Sequence, residues 1–487
     1  MKNNQLTNFN NLLNLILVFS IFIAIIGLLN DIVNTKYEGG VDLVNRVIGA
    51  RLLTRGMNPY FYKWNPNDNI DLLDPVDSPK KIMNRVTVPP TILILHSSMG
   101  TLSYRFQRQL WLGIQWSLLL LTIFLLSKMT SSRIALKVIW IFGLLFISGS
   151  YFWRLHIEVG QIYILYTFLV TLSLWFYMKG TKYDILVGSL LGLLILLRSP
   201  YLLIMLPFLI FRNWRILVSS AISFITLFLI SLPLAGLKTW RAYYDAMRMH
   251  GLYHIELIDA GKVKIDQSLY IIDKVMEWLR SYSWTFNSPL YDSSLQGFLY
   301  QFLKVTLTSN HLLILLVITI LATSLFILKN YSKLNDRKLI FMSGLLLVFL
   351  SEFFIPASRN PYNNVIWLPV FVLLLYSFNI RLLLFNPLSA LLIFGLVLSN
   401  SFNLSENMNI FGDFALMLFC LLSFYIHVNA DRMANLLVPR SRNSAVQYLN
   451  IFYLIFGSVK EIIQLLNIDD YLNRSSENQY KKDKVLQ

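Results

Sequence analysis

Apolar and polar residues along this chain separate into long blocks, not into the short alternations of a soluble domain. Residues 12–30, LLNLILVFSIFIAIIGLLN, form a nearly continuous apolar run long enough to cross a hydrocarbon layer. Similar runs predict spans near 109–127, 134–152, 158–178, 216–236, 310–328, 339–356, 364–379, 382–399 and 410–428. Residues 183–211 are apolar except for RSPY at 198–201. Pro200 lacks a donor and clashes with the preceding turn, so two short helices meeting at a break are expected there. The pattern therefore predicts an all-α polytopic membrane protein with about twelve membrane elements, some of them short or broken. Two long polar stretches, 31–108 and 237–309, interrupt the runs and are expected to carry amphipathic helices. The expected organisation is a membrane domain over 1–430 and a basic tail over 431–487, with one amphipathic patch at 449–464.

Composition agrees with lipid as the solvent: 56% of the 487 residues are hydrophobic and 14% charged. The first run lacks a small-residue cleavage site and reads as an anchor, not a secretory signal. The formal charge of +16 has a membrane explanation and needs no nucleic acid. With the N-terminus in the cytoplasm, the short inside loops carry Lys128, Arg133 and Lys137, then Lys179 and Lys182, Arg212 and Arg215, Lys329 to Lys338, and Arg381. This assignment requires 183–211 to go out and come back. It puts both termini in the cytoplasm and both long loops on the outer face of the cytoplasmic membrane. A single cysteine, Cys420, excludes an intrachain disulfide or a thiolate metal cluster. The chain has no phosphate-binding GxxxxGK[ST] loop, dinucleotide fingerprint or H-E-x-x-H zinc pair. His250 and His254 stand four apart but lack a third ligand at a telling spacing, so no metal is expected.

Candidate chemistry concentrates in the outer stretches. EGGVDLVNRVIGARLLTRGMNPYF, residues 38–61, joins an apolar stripe of Val41, Val44, Ile48 and Leu52 to Asp42, Arg46, Arg51 and Arg55. It reads as a helix in the interface plane that Gly56 can end in a left-handed cap and that Pro59 forbids to continue. Asp42 is either a helix cap or a partner of Arg46, or it is a base that takes the proton of an attacking hydroxyl while nearby cations balance a phosphate leaving group. TVPPTILILHSSMG, 87–100, is too short to span and reads as a re-entrant or interfacial helix. YFWRLHIEVGQIY, 151–163, sets Arg154, His156, Glu158 and Gln161 at a membrane boundary, where polar groups need partners or a cavity. His156 and Glu158 do not face each other, and Gln161 is the better donor to a sugar or phosphate. Arg198 either snorkels to headgroups or meets a lipid phosphate. Arg359, Asn360, Asn363 and Asn364 read as a donor-rich rim or a plain polar turn.

In order, these pieces resemble the membrane glycosyltransferases of the GT-C type, in particular the polyprenyl-phosphate-mannose-dependent mannosyltransferase-like family, glycosyltransferase family 87. The resemblance rests on the acidic first loop, the paired prolines of TVPPTILILHSSMG, H-x-x-x-GQ at 156–161, RSPYLLIMLPFLIFRNWR, the QSL of DQSLY, and SRNPYNNVIWLP. It implies a monosaccharide donor, mannose or a related sugar, carried on a polyprenyl phosphate. It implies inversion at the anomeric carbon with Asp42 as general base, and neither metal nor nucleotide cofactor. The acceptor is expected to be a lipid-linked or cell-envelope glycan. Arg198 is carried over as a donor-phosphate contact and Gln161 as a cavity residue. Further donor or acceptor contacts are expected from Arg46, Arg55, Asn58 and Tyr60, from His156 and Tyr201, from Gln267, and from Arg359, Asn360 and Asn363. Relatives often place a histidine before the late span, where this chain has Asn360, Tyr362 and Asn363. The alternative function is a transporter or flippase of lipid-linked saccharides, which should show inverted repeats; the two halves have no clear similarity.

Overall fold

The computed structural model describes residues 2–37, 39–74, 82–259, 292–334, 336–377, 387–400 and 406–429. Gln267, Arg381 and the patch at 449–464 lie outside them. The chain divides into two compact units, Met1–Phe424 and Tyr425–Gln487. The second is described only over 425–429, where Asn429 donates to the Tyr425 carbonyl at 3.0 Å.

Among the described residues every regular element is helical. Five helices are long and apolar enough to cross a membrane, six if one bent pair counts as a span, and shorter apolar helices accompany them. The molecule is an all-α polytopic membrane protein. Helix α1 is Lys2–Tyr37, α2 Val41–Thr54, α3 Pro90–Ser97 and α4 Tyr104–Ser127. The span expected at 134–152 is bent by 62° after Ile147. Its first part is α5, Arg133–Ile141, continued by a wider turn over Phe142–Ile147. Ser150 then caps a new helix, α6, Tyr151–Glu158, accepting from the Trp153 amide at 3.1 Å. Helix α7 is Tyr163–Met178. The break at RSPY appears as expected: α8, Asp184–Leu197, an extended Arg198, a tight turn of helix over Ser199–Ile204, and α9, Met205–Ile210.

Helix α10, Trp214–Asp259, is two helices joined at a kink where the span expected at 216–236 ends, and its second part is a helix within the 237–309 stretch. Pro233 and Gly236 (φ 77°, ψ 151°) break its backbone, yet helix resumes beyond them and runs to Asp259. Its first part lies close along α8, where a Cβ on Gly188 would stand 2.4 Å from the Ile216 carbonyl oxygen and one on Gly192 2.4 Å from that of Ser220. Small residues bring the two backbones together where lipid provides no hydrophobic drive between helices.

The basic turns gather at one end of the helices. Lys137 donates to Asn10 at 2.6 Å, and Arg337 donates to the Tyr177 carbonyl at 2.7 Å and to Asp184 at 2.5 Å. Phe211 stacks on Tyr331 with ring centres 4.6 Å apart. Helices α4 and α7 run from that end to the other, where α2 packs against the turn after α6.

Helix α2 is more enclosed than an interfacial helix would be. Val44, Ile48 and Leu52 of its apolar stripe are buried, and so are Asn45, Arg46 and Gly49 on the other side. Helix α3 supplies the cover: a Cβ on Gly49 would lie 3.0 Å from a Leu93 methyl. Gly56 takes the expected left-handed φ of 69°.

Candidate active site

The first amides of α2 have no side-chain cap. The Val159 carbonyl accepts from Asp42 N–H at 2.9 Å and Leu43 N–H at 3.3 Å, filling the role expected of a cap. The Asp42 side chain is thereby released from capping. It sits half-buried and accepts from Gln161 Nε2 at 2.7 Å. Burial raises its carboxyl above the usual range of 3.8, against the pull of Arg46, Arg85 and the Gln161 hydrogen bond.

Helix α4 fixes Gln161 from below. Arg108 Nη2 donates to the Ile157 carbonyl at 2.7 Å, Trp111 Nε1 to Gly160 at 3.0 Å, and Gln115 Nε2 to Gln161 at 2.9 Å. Spacings of three and four align these three side chains on one helix face. Arg46 also donates to the Gly160 carbonyl, with its guanidinium 5.6 Å from the Trp111 ring centre. Gly160 has φ 71°, and a Cβ there would stand 2.8 Å from Leu43 Cβ. Gly160→Ala should therefore cost on the order of 1–3 kcal/mol and displace Gln161. A lower melting temperature together with reduced transfer is expected; wild-type values for both would refute the turn's role.

Tyr362 extends the cluster. Asn360 Nδ2 donates to its hydroxyl at 3.0 Å. Burial, then the Asp42 carboxylate and Tyr163, holds that hydroxyl well above its ordinary range, while hydrogen bonds from Gln161 and Asn360 oppose the shift. The Tyr362 and Tyr163 rings are 5.6 Å apart, and the Arg198 guanidinium lies 4.4 Å from the Tyr163 ring centre and 5.8 Å from that of Tyr166. Arg198 forms an ion pair with Glu352, leaving its buried Nε without a hydrogen-bond partner. The buried Tyr201 hydroxyl is also unpartnered, and its ring is 6.3 Å from that of Tyr166. Asp42 and Arg198, 156 positions apart in sequence, thus belong to one polar cluster lined with tyrosines.

The other candidates go elsewhere. His156 is fully buried: its Nε2 accepts from the Ile164 amide at 3.2 Å, its Nδ1 lies 3.2 Å from Gln115, and its ring stacks on Trp153. It braces the turn and does not line the cluster. Tyr60 is enclosed in an apolar core with Leu53, Val86 and Leu93, and its hydroxyl is spent on the Val88 carbonyl at 2.8 Å. Asn58 accepts from the Tyr60 amide at 3.0 Å, a local turn contact. Arg55 is exposed at the far end of α2, about 20 Å along the helix from Asp42. Asn363 is buried, its amide on the Asn360 carbonyl.

Arg359 is not a rim residue. Only 1% exposed, it packs against the Phe353 and Trp367 rings and donates to Asp413, Ser293 and Asn364 at 2.5, 2.7 and 2.6 Å. Asp292 accepts from its amide at 3.0 Å. His254 stands 3.1 Å from the Asp292 carboxylate, and His250 meets the Asn84 carbonyl at 2.8 Å, so the two histidines serve different partners. Burial alone would raise the Asp292 carboxyl, but His254 and the surrounding donors hold it below its usual range. No group of three metal-ligating side chains occurs among the described residues.

Sequence reading missed Glu352, Tyr362 and the Arg108–Trp111–Gln115 face. Each left a signal, since an ionisable or amide side chain inside or beside an apolar run needs a partner. Tyr163 and Tyr166 left none, being ordinary residues of a membrane helix.

The helical bundle and its terminal polar cluster define a membrane protein with a carboxylate and cations gathered in one place. The chain belongs to glycosyltransferase family 87, whose sequence profile matches residues 87–356, more than half of its length. No curated protein and no solved structure matches it. The matched segment includes Gln161, Arg198 and Glu352; Asp42 precedes it and Arg359 follows it.

Proposed function

We propose that this glycosyltransferase moves a monosaccharide, mannose or a related sugar, from a polyprenyl-phosphate donor to a lipid-linked or cell-envelope glycan. The observation that carries the reading is the joining of Asp42 to Arg198 through Gln161, Tyr362 and Tyr163. Gln161 holds Oδ2 of Asp42, leaving Oδ1 to accept a proton. The acceptor hydroxyl oxygen attacks the anomeric carbon, and its proton passes to Asp42. The bond from that carbon to the phosphate oxygen breaks, its electron pair leaves with the polyprenyl phosphate, and the configuration inverts. The unpartnered Nε of Arg198 suits a phosphate oxygen. The reaction requires neither a metal nor a nucleotide. With the basic turns in the cytoplasm, Asp42 works at the outer face of the cytoplasmic membrane and both termini lie inside.

Transfer from purified polyprenyl-phosphate sugars to native lipid extract, with the product identified by mass, tests the reading. Absence of product across a broad donor panel would end it. Arg198→Ala should weaken donor affinity per folded molecule by roughly 10- to 100-fold, the range for one charge-assisted hydrogen bond, and should also lower the melting temperature because the buried Glu352 loses its ion-pair partner. Unchanged affinity would remove Arg198 from phosphate binding.

A further inference from the structure

Helix α2 has a second face that the Asp42 cluster does not use. At about 3.6 residues per turn, Asp42, Arg46 and Gly49 share one side, while Val44, Val47, Ile48 and Arg51 occupy the opposite side. That opposite side borders a cavity of about 680 Å³. The volume falls within the range of small-molecule sites, about 300–1,000 Å³. Its floor is apolar and buried, formed by Val44, Val47, Ile48 and Leu73. Its rim is mixed: Thr54, Arg55, Asp71 and Thr101 are exposed, and so are Ile70 and Leu102.

The rim is built and not merely exposed. Arg51 donates to the carbonyls of Gly100, Leu102 and Asp71 at 3.2, 3.1 and 3.1 Å, tying three segments together. Its guanidinium also stands 3.8 Å from the Asp71 carboxylate, which remains 59% exposed and able to accept further hydrogen bonds. The Asp71 amide is fixed in turn by Asn69 Oδ1 at 2.9 Å. An apolar floor beneath a ring of hydroxyl, carboxylate and guanidinium groups matches one ligand chemistry closely. A pyranose ring presents C–H groups on its faces and hydroxyls around its edge. Arg55 adds a second cation to the rim, so an anionic headgroup is the rival occupant, one that gains nothing from the apolar floor.

We infer that this cavity is a second carbohydrate-binding site, separate from the Asp42 cluster, that holds uncharged sugar units of a glycan. The glycosyl-transfer reading supplies the source of that glycan; binding itself does not depend on it. Retention of a glycan on the far side of α2 keeps its other units near the reaction centre without taking part in the chemistry.

The test uses the full-length protein in nanodiscs and three neutral disaccharides, maltose, cellobiose and α-1,6-mannobiose, with binding read by saturation-transfer NMR and titration. At least one should bind, and wild type and Asp42→Asn should bind it equally. Asp71→Ala and Thr101→Trp, the second narrowing the cavity, should each weaken binding by about tenfold or more at unchanged melting temperature. No binding by any of the three, or binding that Asp42→Asn abolishes and Thr101→Trp leaves intact, overturns the second site. Either result leaves the transferase reading standing. Conversely, full activity of Asp42→Asn with cavity binding intact would sink the base assignment and spare this one.

Discussion

Asp42→Asn should reduce sugar transfer by about 10²- to 10⁴-fold, the usual contribution of a positioned general base. Donor affinity should stay near wild type. The asparagine keeps an oxygen for the Gln161 amide, so the turn after α6 should be undisturbed. Two opposed effects set stability: the buried Arg46 loses its counter-charge, while the burial cost of the carboxylate itself is removed. Burial raises the Asp42 carboxyl, so folding favours its protonated form; that contribution is present at pH below the unfolded value and is lost as pH rises through the folded one. A neutral amide retains the favoured state at every pH. The same displacement predicts a rate that rises with pH along a limb above the ordinary 3.8, because only the ionised form accepts a proton. Purified Asp42→Asn transferring at near-normal rate would exclude the carboxylate from catalysis. A limb at or below 3.8 would deny the effect of burial.

Arg359→Met should destabilise the folded protein by about 3–5 kcal/mol, the range for leaving one charge of a buried pair uncompensated. Asp413 is wholly buried, and Arg359 is its ion-pair partner. Asn364 Nδ2 also donates to Asp413 at 2.6 Å but carries no charge to offset it. Adding Asp413→Leu should recover part of the loss, since the carboxylate that faced Arg359 is then gone. Melting temperatures of the single and double variants in one detergent are the measurement. A single variant as stable as wild type would show that the pair holds nothing together. Donor affinity per folded molecule should move little, which separates this arginine from Arg198.

The contrast between these arginines marks how much of the site could be read in advance. SRNPYNNVIWLP and RSPY look alike as strings: each sets an arginine near a proline and a tyrosine at the end of an apolar run. Local pattern reports exposure to an interface, not which partner arrives from elsewhere in the chain. Asp413 and Asp292 enclose Arg359 from positions 54 and 67 residues distant. Glu352 reaches Arg198 from 154 residues away and leaves part of the arginine side chain exposed. The enclosure of α2 was hidden for the same reason. Its apolar stripe was visible, but α3 and the Val159–Gln161 turn cover the polar side as well. His156 and Tyr60 are polar residues of the right segments, but His156 is held by the Ile164 amide and the Gln115 side chain, and the Tyr60 hydroxyl by the Val88 carbonyl.

The sequence alone determined that this protein is a helical membrane protein, where most of its helices begin and end, that 183–211 is broken at RSPY, and that the basic turns share an end. Those properties follow from the length and period of apolar runs and from proline, which act over a few residues. Tertiary structure alone decided that Asp42 is free of capping duty, that it meets Gln161, and that Arg198 joins it through two tyrosines while Arg359 is sealed away. Each depends on which side chains meet across roughly 50 to 150 residues of chain. Contacts between helices in lipid are selected by close packing and by satisfied polar groups, and a one-dimensional pattern does not encode either.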